Sequence, residues 1–578
     1  LNIVGARPAM GKCVAWYTPM VDLETGDLVT ADELMRRATV RGTLAVQAID
    51  DDGRLTVADV NVCLDDGVKD VFTLRTRSGR EVTVTAAHPF LTPQGWRRLD
   101  EIVVGDDVAV PSTVGVFGTD GLAEGELDLL AIVLGDGCVA PGQTSATFTT
   151  ALDDVREVAE QAARSLGTDL RVAGPAGSAT TYRFSAGSRG GLTNPVMELL
   201  RTHEMWGKGA HDKQVPDAVF RCSRPNVARF LNRLFATDGT AWVTTAGYAR
   251  VGYSSVSKDL VDGVAHLLRR FGLRVKLRER QIAYQGGRRT AFEIEIMDAA
   301  SLLAFCDEIG ILGKSVAVAA VRERAAASLR NDQAPDYVPA AVWDDIEKAK
   351  GEMSWAEVSR RAGRPSSHNW HQGRRGKLRR SAVAELARVF DDDQLRWWAS
   401  PDVIWERVTS IESAGSERVI DFTVPGHHNF VAADFYLHNT AFGLGMAAHI
   451  AKHSAKPVLV FSLEMGHAEL TQRILSSEAK VDSTKLRTGK LSESDWSKIG
   501  LAVGRLEVPL FLDDNPQVTV MEIRAKARRI KAQHGGLALI MIDYLQLMSG
   551  SGNSENRQLE VSEISRNLKV LARELEVP

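Results

Sequence analysis

Two segments that lie far apart in the chain each carry half of a loop that could hold a nucleotide phosphate. The opening residues read as a buried strand and a Gly-rich turn that ends at Gly11 and Lys12. A phosphate-binding loop needs a Ser or Thr directly after this Lys to hold Mg²⁺, and then a helix whose N–H groups face the phosphates. Cys13 follows instead, whereas the missing hydroxyl and the small-residue helix pattern begin at Thr440. Joining Lys12 to Thr440 restores the loop, with Ala6 at its first Gly position.

The residues at the two breaks carry the groups that an internal acyl transfer needs. Cys13 has a thiol that can attack the carbonyl before it, Asn439 has an amide that can cyclise onto its own carbonyl, and Thr440 has a hydroxyl that can receive an acyl group. A lone Cys is more often a buried core residue. Because all three residues stand at the interruption of the phosphate loop, we favour removal of residues 13–439 and joining of the flanks.

Two apolar segments of the C-terminal flank read as strands that end in an acid, the first at Glu464 and the second at Asp543. This pattern is typical of the parallel sheet of nucleotide-hydrolysing domains. In such a site Asp543 would hold Mg²⁺ through water and Glu464 would polarise the attacking water, so ATP and Mg²⁺ are the predicted cofactors. Ordinary buried strands are the alternative, and the restored loop makes it the weaker one.

The flanks, residues 1–12 and 440–578, resemble the RecA-like motor domain of DnaB-type replicative DNA helicases. The resemblance rests on Ala-Arg-Pro-Ala-Met-Gly-Lys, Ser-Leu-Glu-Met and Ile-Asp-Tyr-Leu-Gln and covers 151 residues. It implies a partial RecA-like α/β ATPase domain and, in the full-length host, ATP-driven DNA unwinding by a homo-hexameric ring. The family's N-terminal collar, DNA-binding loops and arginine finger have no counterpart here, so we do not expect this fragment to unwind DNA by itself.

Residues 13–439 resemble an intein, a self-splicing protein element, through an ordered set of motifs. The matching residues are Cys13, Thr85, His88, Asp421, His438 and Asn439. A single Thr-x-x-His would read as a strand end with a satisfied histidine, but the whole set in this order is specific. The resemblance implies the horseshoe-shaped, all-β Hint fold. Short alternating runs between Gly and Asp turns predict the same β body from residues 13–115 and 401–439.

The resemblance also implies how the first bond is broken. Cys13 sulfur attacks the Lys12 carbonyl and forms a thioester, while His88 protonates the departing amine and Thr85 distorts or polarises that peptide bond. An unreactive amide thereby becomes an activated ester.

Three further steps follow in the family's scheme. Thr440 attacks the thioester and forms a branched ester, with Asp421 as the candidate for coupling the two ends. Asn439 then cyclises, with His438 polarising its carbonyl, and an oxygen-to-nitrogen acyl shift leaves a normal peptide bond. Splicing needs no cofactor in this scheme, because the acyl bond is conserved at each transfer.

Two segments between residues 116 and 335 look alike, since each is an apolar helix pattern that ends in a small residue, an Asp and a Gly. The acids are Asp136 and Asp238, which would lie side by side and bind a divalent metal at a phosphodiester. Ordinary Asp-Gly helix ends are the alternative. The pair resembles the twin motifs of LAGLIDADG homing endonucleases. That family implies an α+β fold, Mg²⁺-dependent cleavage of a double-stranded DNA homing site, and a catalytic role for Lys213, which could instead be a surface lysine.

Residues 336–400 read as a helix-turn-helix-like DNA-binding insert. A helix pattern and a Gly turn precede a predicted second helix, and six Lys or Arg without an acid lie between Arg364 and Arg380. Trp370 and two histidines are interleaved with them. A solvated basic loop is the alternative to a helix in a DNA major groove.

Composition sets limits on the remaining function classes. The net charge is -4 and five cysteines lack CxxC spacing, which argues against a disulfide framework or a zinc site. No apolar run is long enough to span a membrane, and we expect a cytoplasmic protein without membrane partners. The first residue is Leu, so we expect a fragment of a longer chain.

The sequence therefore predicts a multidomain protein whose primary act is autocatalytic splicing. A homing endonuclease on a splicing-impaired scaffold is the main alternative. A working ATPase motor is a third possibility, which requires excision first. Transfer of the cleaved chain to a small molecule, as in hedgehog-like domains, is disfavoured because a coherent second flank follows Asn439.

Overall fold

The structure is a computed structural model of the chain. It describes residues 13–60, 62–139, 143, 145–186, 194–284, 287–330, 336–368, 370, 378–424, 427, 429–438, 447, 450–454, 456–462, 467–479, 481, 493–505, 508–515, 518–543 and 557–578.

The N-terminal part of the described chain is built mainly of strands. Its elements are β1 Val14–Ala15, β2 Pro19–Val21, β3 Leu28–Thr30, α1 Ala31–Arg41, β4 Ala45–Ile49, β5 Leu55–Asp59, β6 Val62–Thr76, β7 Glu81–Thr85, β8 Pro89–Thr92, β9 Gly95–Arg98, the 3₁₀ helix Leu99–Glu101 and β10 Asp107–Pro111.

Helices and strands alternate through the central part. They are α2 Glu124–Asp136, β11 Gly137–Cys138, β12 Thr147–Thr150, α3 Asp153–Ser165, β13 Asp169–Ala176, β14 Ala179–Ser185, α4 Pro195–Thr202, α5 Asp217–Phe220, α6 Arg224–Asp238, β15 Gly239–Val243, β16 Ala249–Ser255, α7 Lys258–Arg270, β17 Val275–Tyr284, β18 Gly287–Ile296, α8 Ala299–Glu308 and α9 Ser315–Arg330.

A small helical unit and a return to the β body come next. These elements are β19 Tyr337–Val338, α10 Val342–Lys350, α11 Trp355–Arg361, β20 Leu378–Arg379, α12 Arg380–Phe390, α13 Asp393–Trp398, β21 Val403–Thr423, β22 Asn429–Ala432 and β23 Phe435–His438. The C-terminal part contains β24 Val458–Ser462, α14 His467–Ala479, α15 Glu493–Arg505, β25 Leu510–Asp513, α16 Val520–His534, β26 Leu539–Asp543 and α17 Arg557–Leu575.

The β body joins two stretches that are far apart in sequence. Its main sheet has the order β1-β7-β6-β21-β10, with β1 also paired to β21, and a second sheet has the order β22-β23-β8-β9. The long strands β6 and β21 pair antiparallel along most of their length. The apolar residues that alternate along these strands form one core, as expected for sheets with one buried face.

One helix departs from the all-β expectation for this body. Thr30 caps α1 by accepting a hydrogen bond from the Glu33 N–H at 3.2 Å, and Gly42 ends it in the left-handed conformation with φ of 77°. Ala31 and Leu34 are buried against the strands. The prediction missed this helix because its apolar face is short and most of its residues are polar.

The central part contains the same arrangement twice. Each copy runs helix, two strands, helix, two strands, helix, beginning with α2 in the first and α6 in the second. The sheet orders are β11-β12-β14-β13 and β15-β16-β18-β17, so the two copies also share their topology. Both copies pack into one apolar core that is separate from the core of the β body.

The helical unit has a core of its own, and it differs from the predicted helix-turn-helix. Residues 364–368 form no helix after the turn at Gly363, because Pro365 disfavours helical backbone at the residue before it. The next described helix is α12. Residues 371–377, which carry much of the basic stretch, lie outside the described residues.

Two residues of that predicted DNA-binding stretch serve the core of the unit. Trp370 is buried and donates its indole hydrogen to Ser359 Oγ at 2.9 Å. Arg380 binds Asp336 at 2.9 Å and the Val403 carbonyl oxygen at 2.6 Å. These contacts tie the unit together and to β21, so neither side chain is available to DNA.

The C-terminal part contains the predicted parallel sheet. Strand β24 pairs in parallel with β25 on one side and β26 on the other, and α16 and α17 pack against the sheet through an apolar core. No helix in the described part of the chain is long and apolar enough to cross a membrane.

The first helices of the two copies, α2 and α6, approach closely at their C-terminal ends. A methyl group on Gly135 would overlap the Thr237 side chain, so only Gly allows this separation. Closer to the N-terminal end of α2, the buried Asp128 accepts hydrogen bonds from two arginines of α6, Arg229 at 2.7 Å and Arg233 at 2.9 Å. The pair is therefore fixed by both small-residue packing and charge.

We expect Gly135→Ala to force α2 and α6 apart and to destabilise this pair by about 1–3 kcal/mol, the usual effect of overpacking. Peptide-resolved hydrogen exchange across α2 measures the loss of protection. Gly121→Ala is the matched control, because a methyl group there meets nothing within 4 Å. Equal protection in the two variants would contradict the close-approach argument.

Candidate functional site

The short strand β1 lies between β7 and β21, and its register determines what flanks Cys13. The residue after Cys13 pairs with Val84 of β7 and with Ile420 of β21, antiparallel in both cases. In an antiparallel ladder the preceding residue faces the following residue of each partner. Cys13 therefore stands between Thr85 and Asp421, two of the residues that the sequence analysis had singled out.

Thr85 holds the backbone of Cys13 from two directions. Its Oγ1 accepts a hydrogen bond from the Cys13 N–H at 3.3 Å, and its own N–H donates to the Cys13 carbonyl oxygen at 3.2 Å. The Cys13 N–H belongs to the Lys12–Cys13 peptide bond. Thr85 is thus positioned to act on the amide that the predicted reaction breaks.

His88 follows in the turn after β7. Its N–H donates to the Thr85 carbonyl oxygen at 3.0 Å, and its fully buried ring contacts the edges of Phe90 and Phe430, with ring centroids 5.9 and 6.4 Å away. These contacts determine the direction of the imidazole ring. Phe430 belongs to the C-terminal hairpin, so the histidine lies where the two halves of the β body meet.

The Cys13 thiol has two polar neighbours that the sequence analysis did not identify. It donates to Asp66 Oδ2 at 3.2 Å, and Lys69 Nζ lies 4.0 Å from Sγ while it also pairs with Asp66. Burial raises the pKa of the Cys13 thiol well above its ordinary value, and the charges of Asp421 and Asp66 raise it further against the opposing effect of Lys69. No sequence signal distinguished Asp66 and Lys69 from ordinary turn residues.

The hairpin of β22 and β23, which ends at His438, lies against β8, the strand that follows His88. Strand β23 ends at His438 and pairs with β22 on one side and with β8 on the other, where Leu437 faces Phe90. The ring of Trp96 from β9 meets the His438 ring edge-on, with centroids 4.7 Å apart. Asn439 and Thr440 lie outside the described residues.

The turn that leads into β23 is bound to helix α7 of the central part by buried charged side chains. Asp434, with φ of 59°, accepts a hydrogen bond from Arg269 at 2.9 Å and contacts His266 Nδ1 at 3.1 Å. Arg270 donates to the other ring nitrogen of His266 at 3.1 Å, so Nδ1 carries the ring hydrogen and faces Asp434. Burial lowers the pKa of His266, which is therefore neutral near pH 7.

A second cluster of ionisable groups lies where α2 and α6 end. The two helices terminate with nearly identical backbone geometry at Gly137 and Gly239, which places Asp136 and Asp238 at equivalent points of the two copies. Burial raises the pKa of Asp136 to about 6, and the charge of the neighbouring Asp238 adds to that rise. Burial also raises the pKa of Asp238.

Each copy brings one lysine to these acids. Lys213 donates to the Gly135 carbonyl oxygen at 2.7 Å, and Lys314 donates to the Gly239 carbonyl oxygen at 2.6 Å. Burial lowers the pKa of both amines, whereas the two carboxylates oppose that effect. Lys213 was predicted, but Lys314 was missed because no motif marks it in the sequence.

The two acids are the candidate metal ligands of this cluster. Among the described residues, no group of three or more His, Cys, Asp or Glu side chains forms a metal site, so a cation there would need further ligands from substrate or water.

Most residues of the predicted nucleotide site lie outside the described part of the chain. Gly11, Lys12, Thr440 and Glu464 lie outside the described residues, and of Asp543 the structure describes only the backbone, at the end of β26. The parallel sheet that would carry these residues is present.

The fold and the site at Cys13 define a self-excising protein element. A family model described as "Intein splicing domain" matches residues 21–439, which is most of the chain, and the chain belongs to that family. A second model, "DnaB-like helicase C terminal domain", matches residues 422–578. The element is therefore an intein within a DnaB-like replicative helicase.

Known proteins are similar to one or both parts. The replicative DNA helicase DnaB of Rhodothermus marinus is 32% identical over 397 residues, covering 67% of this chain and 42% of that protein. DnaB of Geobacillus stearothermophilus is 51% identical over 150 residues, covering 26% of this chain and 33% of that protein. The crystal structure of a DnaB intein from Synechocystis is 31% identical and covers 17% of this chain and 68% of that chain, with a TM-score of 0.16. The chain thus spans less than half the length of these two helicases.

We expect Trp96→Ala to slow cleavage at Asn439 roughly tenfold to a hundredfold, because the His438 ring loses the contact that orients it. The rate is measured by intact mass in a Cys13→Ala background, where only C-terminal cleavage remains. Trp242→Ala, at a half-exposed position on β15, is the control. An unchanged rate would show that the Trp96 ring does not position His438.

Proposed function

We propose that this chain removes residues 13–439 from itself and joins Lys12 to Thr440 by a peptide bond. The observation that carries the proposal is the register of β1. It sets the nucleophile Cys13 beside Thr85, whose hydroxyl accepts the N–H of the amide to be broken. A merely structural cysteine would not need a polar partner on the preceding peptide bond.

In the first step the Cys13 sulfur bonds to the Lys12 carbonyl carbon, and the bond from that carbon to the Cys13 nitrogen breaks. The nitrogen leaves as an amine, which requires a proton. His88 is the proposed donor, because its backbone is bonded to Thr85 and its ring is fixed at the same place. Thr85 binds the N–H of this amide, and a pull on the N–H out of the peptide plane would reduce the resonance that strengthens the carbon–nitrogen bond.

In the later steps the acyl group moves to oxygen and then back to nitrogen. Thr440 oxygen attacks the thioester and frees the Cys13 thiol, with Asp421 facing that thiol from β21. Asn439 then cyclises through its side-chain nitrogen, His438 polarises its carbonyl, and the Asn439–Thr440 bond breaks. The freed amine of Thr440 finally takes the acyl group from its own oxygen.

The host function depends on this excision. Joining Lys12 to Thr440 would restore a Mg²⁺-binding hydroxyl directly after the phosphate-binding lysine, on a sheet whose strand β26 ends at Asp543. The spliced product would then bind ATP and Mg²⁺ and contribute to a homo-hexameric DNA helicase ring. The resemblance to DnaB proteins supports this, and the activity belongs to the longer host chain.

We also propose a second activity, site-specific cleavage of double-stranded DNA by a LAGLIDADG-type nuclease. Its support is the twofold repetition of one topology, with Asp136 and Asp238 at the meeting helix ends and Lys213 and Lys314 beside them. A purely structural pair of Asp-Gly helix ends would not need to bury two carboxylates together.

The two acids fit Mg²⁺ by their chemistry. Carboxylate oxygens are preferred ligands of this cation. Burial and then the charge of Asp238 raise the pKa of Asp136, and a positive charge between the acids would oppose both effects. When bound, the cation would activate water and neutralise charge on the phosphodiester. Asp136 and Asp238 would hold it, while Lys213 and Lys314 would contact the phosphate oxygens.

The main alternative is a homing endonuclease on a splicing-impaired scaffold, and it makes a different prediction for the purified chain. We expect incubation without ATP or metal to convert the 578-residue chain into a 427-residue and a 151-residue species, measured by intact mass. Cys13→Ala abolishes the ligated species, whereas Cys306→Ala is the matched control and leaves it unchanged. A mass that stays constant in the unaltered chain would contradict splicing.

The nuclease is tested on a plasmid that carries the host gene without the codons for residues 13–439. We expect Asp136→Asn or Asp238→Asn to abolish Mg²⁺-dependent linearisation of this plasmid and to leave splicing intact, because the two sites share no residue. Asp128→Asn is not a suitable control, since it breaks the helix pair, so Asp212→Asn in the exposed loop is used. Cutting that survives in both carboxylate variants would contradict the proposed site.

A further inference from the structure

A bulge in β6 brings a second carboxylate to the splicing nucleophile. Arg418 of β21 pairs with Val68 of β6, and Ile420 pairs with Asp65, so two residues of β6 face one residue of β21. Those two residues are Asp66 and Gly67, which lie opposite the single residue Val419. A bulge of this kind takes residues out of the ladder and redirects their side chains, a device found next to active sites.

The backbone of the bulge is fixed by its own sequence. Gly67 has φ of 75°, a conformation that favours glycine, and its N–H donates to Asp65 Oδ1 at 3.0 Å. Asp65 itself is half-exposed and pairs with Arg418 at 2.8 Å. The neighbouring acid, Asp66, points the other way, and its side chain is 5% exposed.

Asp66 contacts both the thiol of Cys13 and the amine of Lys69. It accepts the Cys13 thiol hydrogen at 3.2 Å and pairs with Lys69, whose amine lies 4.0 Å from Sγ. Burying a carboxylate costs free energy unless it is paired, and Lys69 supplies that pair. Packing requires neither an acid nor a base at this point of the strand.

The other charged and titratable groups around the thiol come from the two neighbouring strands. Asp421 faces Cys13 from β21, and Thr85 with the following His88 faces it from β7. Because burial and the two carboxylates oppose ionisation of the thiol, attack on the Lys12 carbonyl needs an acceptor for the thiol proton at the moment of reaction.

We propose that Asp66 is the base that accepts the Cys13 proton in the first acyl shift, and that Lys69 is a positioning residue that holds Asp66 against the thiol. As the sulfur bonds to the Lys12 carbonyl carbon, the thiol hydrogen passes to Asp66 Oδ2. The carbon–nitrogen bond breaks, and the Cys13 nitrogen takes a proton from His88. The thioester and the free amine are then in place, with one proton taken by Asp66 and one given by His88. This inference rests on the proposed splicing function and deepens its first step.

The test isolates that step in the full 578-residue chain. Asn439→Ala and Thr440→Ala block the later steps, and added dithiothreitol then releases residues 1–12 whenever the thioester forms. The release rate is followed by intact mass between about pH 6 and pH 9, a range that lies below and around the ordinary thiol pKa. We expect Asp66→Asn to slow release roughly a hundredfold near pH 7, the usual contribution of a general base.

The pH profile separates a base from a packing role. Without Asp66 the thiolate must form from solvent, so the rate of the Asn variant should rise about tenfold per pH unit and approach the parent rate at the alkaline end. Asp66→Glu restores much of the rate, and Lys69→Met slows release while Lys69→Arg does not. Asp70→Asn is the matched control, because Asp70 lies on the same strand and binds the Ser416 hydroxyl instead.

Folding of the variants is measured by C-terminal cleavage in a Cys13→Ala chain, which should proceed in Asp66→Asn at the rate of Asp70→Asn. A slowing of release by the same factor at every pH, or a rate equal to that of Asp70→Asn, overturns the role of Asp66. So does a pH-dependent defect found in Asp421→Asn and not in Asp66→Asn. If the parent chain releases no peptide at any pH, the proposed splicing function itself is overturned, and this inference with it.

Discussion

The whole active site depends on the pairing of one two-residue strand with two neighbours. β1 is held by β7 and β21, which come from opposite ends of the splicing sequence, so its register sets both flanks of Cys13 at once. A slip by one residue would turn the thiol to the other face of the sheet and move Thr85 away from the scissile amide. Val14 helps to specify the register, because it packs with its partners Val84 and Ile420 in the core of the β body and a slip would remove it from that contact.

The same sheet explains how a long insertion is tolerated. Strands β10 and β21 are antiparallel neighbours, and Pro111 pairs with Val403 at the point where the chain leaves and returns. The two ends of the insertion are therefore held side by side by the main sheet of the β body. For a loop whose ends already meet, each doubling of length costs only about 0.6 kcal/mol in closure entropy. The central part, which has its own core, can thus occupy the connection without disturbing the register at Cys13.

The sequence predicted the features that depend on residues lying close to one another in the chain. The helices that end at Asp136 and Asp238, the strands that end at Thr85 and Asp543, and the parallel flank sheet all follow from local periodicity and turn residues. It did not predict Asp66, Lys69 or Lys314, because their roles arise from a bulge or from a neighbour far along the chain. Nor did it place Trp370 inside a core, since an aromatic residue among basic ones has the same local pattern whether it faces DNA or an apolar interior.

The β body and the central part contact each other through buried charged side chains at the turn before β23. Asp434 is almost fully buried there and depends on Arg269 and His266 of α7 for its partners. Removing one partner of such a pair typically costs about 3–5 kcal/mol, since a buried charge is left uncompensated. The turn adopts left-handed backbone at two non-Gly residues, Ala433 and Asp434, so the buried charges also hold it in a conformation that it would not favour alone. The strand that ends at His438 is consequently positioned by helix α7 as well as by the sheets of the β body.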